Sequence, residues 1–165
     1  MRLIIFAIGY LIIGAWMNLI FNNYFQLLGL KINWILVFIL ALSFRYSKLA
    51  LSFVGIFAGL ICDANSHGIM GLYGTSFFLI LLIVNQVKKV FYSNTFFSVS
   101  FSVVGMTIIE GWLSIFLLSF FEPDLEITSL FISTNFLLAI MHGFITPIVL
   151  ILIIWGERLF LREFA

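Results

Sequence analysis

The sequence predicts an all-α polytopic membrane protein: a compact bundle of six transmembrane helices forming one domain, residues 1–165. Composition, the segmentation of the apolar runs and the placement of the cations predict it. The chain is 64% hydrophobic and only 9% charged, with mean hydropathy +1.25. An ordinary globular domain is about one quarter charged. No stretch is long and polar enough to fold as a separate soluble domain.

A spanning helix needs roughly 20 apolar residues, fewer where it packs inside protein. Met1-Arg2 followed by Leu3 to Ile20 has the polarity of a signal peptide. Its apolar run exceeds the usual core of about 7–15 residues, so it reads as an uncleaved first helix over 3–21. The second segment, 32–44, is short and opens at Lys31 and Asn33-Trp34. The third, 49–64, joins it through a tight basic hairpin, Arg45-Tyr46-Ser47-Lys48. The fourth covers 69–87, the fifth 95–120 and the sixth 130–156.

Six spans with a cytoplasmic N-terminus put Arg2, Arg45, Lys48, Lys88, Lys89, Arg158 and Arg162 on the inner face and only Lys31 on the outer. Cations accumulate on the cytoplasmic side, so this distribution predicts both termini inside. Removing the second segment would scatter the cations over both faces. The acidic stretch Glu122-Pro123-Asp124-Leu125-Glu126 falls in an outer loop. A net charge of +1 offers no basic field for nucleic acid. The single cysteine, Cys62, excludes an intramolecular disulfide and a multi-cysteine metal site within one chain.

One polar interruption stands out, Gly59 to Gly71. It carries Cys62, Asp63, Asn65, Ser66 and His67 and no Lys or Arg. A charge at the end of an apolar segment needs water or a partner. The stretch is therefore either the outer rim of a helix pair or the lining of a cavity. Upstream, Ser52, Gly55, Gly59, Cys62 and Ser66 recur at helical spacing. Gly55-x-x-x-Gly59 is a small-residue face that lets another helix approach closely. That helix belongs either to a partner or to the fold itself. Asp63, one turn further on, either contacts a ligand or partner in an outward cavity or accepts backbone N–H bonds at the start of the fourth helix. His67 reads as an interfacial residue.

Glu110 is the sharpest anomaly, an acid in the middle of an apolar segment with Thr107 and Ser114 one turn to either side. The sixth segment carries a facing stripe, Asn135, Ala139, His142 and Thr146. The two segments run antiparallel, which brings Glu110 and His142 to similar depth. An intramembrane carboxylate normally faces the bundle interior and finds a partner. A buried Glu110–His142 pair, direct or through one water, is the expectation, with a structural or a proton-relay role. No nucleophile elbow, zinc-protease motif or phosphate loop occurs, and two histidines with one distant cysteine do not make a zinc site. Neither an enzyme nor a metal or cofactor protein is expected.

The spacing Gly59-x-x-x-Asp63-x-x-Ser66-x-x-x-x-Gly71 between two apolar segments resembles the rod-shape-determining MreD family of bacteria. So do Asn33-Trp34 opening the second segment, and Gly143-x-x-x-Pro147 followed by apolar residues and Arg158. Lys31-Ile32 departs from the pattern, standing where that family often has a proline-containing turn. The resemblance implies a non-catalytic subunit of the rod, or elongation, complex in the bacterial inner membrane. Its implied direct partner is MreC, a single-span protein; MreB, RodA and a transpeptidase penicillin-binding protein are implied indirectly. The implied role is to help direct lateral peptidoglycan synthesis and maintain cell shape. Gly55, Gly59, Asp63, Ser66 and Gly71 are the candidate partner or cavity residues. The MreD family is similar in fold to substrate-binding subunits of energy-coupling-factor transporters. That similarity supplies the alternative, a subunit binding a vitamin or other small molecule. Those subunits usually present an alanine-x-x-x-alanine face on the first helix, where this chain has Ala7, Leu11, Gly14 and Asn18.

Overall fold

The helix that organises the bundle is its shortest. A computed structural model describes residues 2–24, 31–46, 49–66, 69–90, 96–121 and 129–160. Among these lie six helices and no strand: α1 (Arg2–Tyr24), α2 (Trp34–Tyr46), α3 (Leu49–Ser66), α4 (Leu72–Val90), α5 (Phe96–Leu118) and α6 (Ser129–Phe160).

Every residue of α2 from Ile35 to Phe44 is buried. A helix apolar all round has no face to offer water and belongs in an interior. Here α2 touches each of the other five helices. Around it α1 packs on α3, α3 on α4, α4 on α5 and α5 on α6. The ring closes where the Tyr10 hydroxyl of α1 donates to the Leu152 carbonyl of α6 at 2.7 Å. Gly156 makes room for that tyrosine, because a Cβ there would collide with the Tyr10 hydroxyl.

The outer faces of the ring are apolar. Trp16 on α1, Phe57 on α3, Phe101 on α5 and Phe144 and Trp155 on α6 are all exposed. Contiguous exposed apolar surface on this scale marks contact with a membrane or partner. The segments Ile4–Phe21, Phe96–Leu118 and Phe131–Leu159 are long and apolar enough to cross a membrane; α2, α3 and α4 supply shorter apolar runs. The short length of α2 follows from its position. Its sides meet protein, so nothing obliges it to match the hydrocarbon thickness. Its ends need polar partners instead. At one end Arg45 pairs with Glu157 of α6 at 2.8 Å. The other end stops inside the bundle, and the candidate site is built there.

Candidate functional site

The start of α2 poses a problem of backbone chemistry. The first N–H groups of any helix lack an intrahelical acceptor, and inside an apolar bundle water cannot be assumed to supply one. Side chains from other helices answer the need. The Asn33 N–H donates to His142 Nε2 of α6 at 3.2 Å. The Trp34 N–H donates to Asn18 Oδ1 of α1 at 2.8 Å. Asn33 folds its own Oδ1 back to the Leu36 N–H at 3.1 Å, an N-cap geometry. The Cys62 thiol of α3 lies 3.7 Å from the same oxygen. His142 is thirteen residues into α6, so this polar collar lies about 20 Å along α6 from its first residue.

The collar also settles the chemistry of His142, which is fully buried. Nε2 accepts a backbone N–H, so it carries no proton. Nδ1 lies 3.1 Å from Thr107 Oγ1. The Thr107 hydroxyl spends its own hydrogen on the Val103 carbonyl at 2.9 Å. Nδ1–H therefore donates to Thr107, and the ring is the neutral Nδ1–H tautomer. Thr146 donates to the His142 carbonyl at 2.7 Å. Both ring nitrogens of this histidine thus tie α6 to its neighbours, one to the start of α2 and one to α5.

Glu110 is buried, as expected, but its hydrogen bond goes elsewhere. Ser114 Oγ donates to Glu110 Oε1 at 2.8 Å, and Ser76 Oγ of α4 lies 3.1 Å from Ser114 Oγ. Ser114 has one hydrogen and gives it to the carboxyl group, so Ser76 donates to Ser114. The direct Glu110–His142 hydrogen bond anticipated from depth does not form. The two residues do lie on facing helices, but His142 is turned toward the start of α2, where an unpaired backbone donor makes the stronger demand. Thr107, three residues earlier on α5, takes the position opposite the imidazole. The rest of the facing stripe packs tightly: Ala139 is fully buried. Asn135 reaches the Ile108 carbonyl at 3.4 Å and lies where a Cβ on Gly111 would be. A Cβ on Gly143 would meet Val104 of α5.

Asp63 closes a second junction at this end. It is 4% exposed, a degree of burial that leaves no open carboxylate for solvent. Oδ2 accepts the Gly71 N–H at 2.9 Å and the Gly74 N–H at 3.3 Å; Oδ1 accepts the Tyr73 N–H at 2.9 Å. These are donors at the N-terminus of α4, where a carboxylate is also favoured by the helix dipole. Of the two roles open to Asp63, the structure places it in the helix-capping one. Gly71 turns the chain into α4 with φ at +96°, a left-handed conformation that favours glycine. Gly59 lies against α4 so closely that a Cβ would overlap the Tyr73 carbonyl and the Gly74 backbone. Gly55 faces Leu81 of α4 in the same way. The small-residue face is thus occupied by the chain's own α3–α4 hairpin. Ser66 ends α3; its side chain, His67 and the acidic stretch 122–126 lie outside the described residues.

Gly111, Gly156 and Ser76 take parts in this architecture that the sequence reading did not single out. For Gly111 a signal existed, since it follows Glu110 and faces the polar stripe of α6. For the other two the partner is a distant residue with no local signature. Among the described residues no group of three or more His, Cys, Asp or Glu side chains could hold a metal ion. No protein-family model matches the chain, and comparison with curated proteins and with solved structures finds no match either.

Proposed function

We propose that this chain is a non-catalytic subunit of the bacterial rod complex, of the MreD kind, binding MreC in the cytoplasmic membrane with both termini inside. In this reading the six helices all lie in the membrane, as a bundle similar in kind to the substrate-binding subunits of energy-coupling-factor transporters. The chain helps direct lateral peptidoglycan synthesis and hold cell shape. Its ties to MreB, RodA and a transpeptidase penicillin-binding protein run through the assembled complex.

The observation that carries the reading is the nature of the Gly59–Gly71 motif. Its three structurally described members all serve the α3–α4 junction: Gly59 packs on the α4 backbone at Tyr73 and Gly74, and Asp63 accepts the Gly71 N–H. A spacing so defined is the requirement of a rigid hairpin, and a rigid membrane scaffold is what an assembly subunit supplies. The MreC span or its juxtamembrane stem docks near the ends of the helices that carry the polar collar, where the partner's extracytoplasmic domain begins.

Purification of the chain from native membranes under mild detergent, with mass spectrometry of what accompanies it, tests the proposal. A single-span protein with an extracytoplasmic domain is the expected companion. A chain that emerges without any such protein, carrying a tightly retained vitamin instead, would replace this reading with that of a transporter subunit.

A further inference from the structure

At the end of the bundle opposite the polar collar, a slot is lined by residues of the last turn of α2, the start of α5 and α6. The slot has a volume of about 40 Å³ and is lined by Phe44, Arg45, Phe96, Val99, Leu150 and Ile154. A single water needs about 10–15 Å³ of such volume and two or more polar partners. The space is sufficient here, but five of the six lining side chains are apolar. Water would be held poorly, and a hydrocarbon chain would be held well.

The sixth lining residue is different. Arg45 donates from Nε and Nη2 to a single oxygen, Glu157 Oε2, at 3.1 and 2.8 Å. Its remaining nitrogen, Nη1, makes no bond to Glu157, and the Tyr46 hydroxyl lies beside the pair. The pair is only partly buried, with side chains 33% and 27% exposed, so an acceptor from the surroundings can reach it. Glu157 does not neutralise the locality. Arg158 follows it directly, and Lys88 of α4 lies near enough to Arg45 for the two charges to interact. Phe97 and Trp155, next to the slot's own Phe96 and Ile154, are exposed, and aromatic residues of this kind favour the membrane–water boundary.

We propose that this slot is a specific site for an anionic phospholipid, with the phosphate on Arg45 and the upper part of one acyl chain between Phe96, Val99, Leu150 and Ile154. A guanidinium suits phosphate by geometry and charge, and basic recesses between membrane helices recognise anionic headgroups. Neither half of the slot is satisfied by water or by hydrocarbon alone; a lipid with a charged head satisfies both.

Native mass spectrometry on the full chain, exchanged into detergent with equal amounts of phosphatidylglycerol and phosphatidylcholine of the same acyl chains, tests this. Phosphatidylglycerol is expected to be retained about tenfold more: both lipids carry the phosphate, but phosphatidylcholine also brings a choline cation that the Arg45 guanidinium repels. The double substitution Arg45→Gln/Glu157→Gln removes both charges together and should abolish the preference. Ile154→Trp, which fills the slot at its rim, should lower retention of phosphatidylglycerol while leaving helicity unchanged. Arg158→Gln removes an exposed charge beside the site and should leave most of the preference. Equal retention of the two lipids by the unmodified chain overturns the site. So does unchanged retention in Ile154→Trp, which decides the matter even where the double variant fails to fold. Loss of preference in Arg158→Gln as complete as in the double variant would reduce the effect to diffuse surface charge and overturn it as well.

Discussion

Asp63 and His142 do the same kind of work on two different helices. Each accepts backbone N–H groups at a helix start that lies within the bundle. Removing such an acceptor leaves a buried donor unpaired, at a cost of about 1–3 kcal/mol per group. Asp63→Ala is therefore expected to lower stability by about 2 kcal/mol or more, and Asp63→Asn by less, because the amide oxygen still accepts. Thermal unfolding in detergent reads both; equal stability of Asp63→Ala and the parent would remove the capping role. Glu110 offers a contrast at the opposite extreme of expectation. Its one hydrogen bond is to a serine that can turn to another acceptor. Apolar replacement of a buried ionisable group is often neutral. Glu110→Leu should stay within about 1 kcal/mol of the parent, whereas His142→Leu should cost about 1–3 kcal/mol, because it orphans the Asn33 N–H. If the order were reversed, the carboxyl group rather than the imidazole would be the structural centre of this end.

At the scale of elements, the α3–α4 hairpin and the central helix are stabilised differently. In a bilayer, lipid tails are as apolar as leucine, so helices associate through close packing and polar contacts rather than through the hydrophobic effect. The hairpin uses close packing, and its glycines should form a graded series. Gly59→Ala is expected to be severe, because its Cβ would meet fixed α4 backbone. Gly55→Ala should be milder, since the obstacle is the end of the Leu81 side chain. Gly74→Ala should be tolerated, its nearest neighbours lying at ordinary contact distance, 3.5 Å or more. Melting temperatures of the three variants in one detergent give the ranking, and a Gly74→Ala variant less stable than Gly59→Ala would contradict the packing described. For α2 the ends matter more than the sides: Asn33, Asn18 and His142 hold one, the Arg45–Glu157 pair the other.

For the whole molecule, the two ends of the bundle differ in chemistry. Toward one lie Lys31, Asn33 and Asp63; at the other gather Arg45, Lys88 and Arg158. The proposed orientation sets the basic end in the cytoplasm. Met70 is 78% exposed at the first end and Leu159 49% exposed at the second, so both positions are open to a probe. In a Cys62→Ala background, Met70→Cys should react with a membrane-impermeant maleimide on intact cells, and Leu159→Cys only after lysis. The opposite pattern would invert the topology.

Much of this protein is legible in its residues. Apolar runs broken by short polar stretches dictate helices, because a backbone in a water-poor environment must satisfy its own hydrogen bonds. The six helices accordingly begin and end within a few residues of the expected limits. For Asp63 the residues allowed two roles, a contact in an outward cavity or a cap on the next helix, and the hydrogen bonds to Gly71, Tyr73 and Gly74 decide for the cap. Tertiary structure alone decided which helix lies in the middle. A short, largely apolar segment is compatible with a core or with an edge, and only the surrounding five helices place α2 at the centre. It also decided the partner of His142. Depth along two antiparallel helices brought Glu110 and His142 to one level, but depth carries no information about rotation. The imidazole turned to the backbone donor that a helix ending inside the bundle had left unpaired.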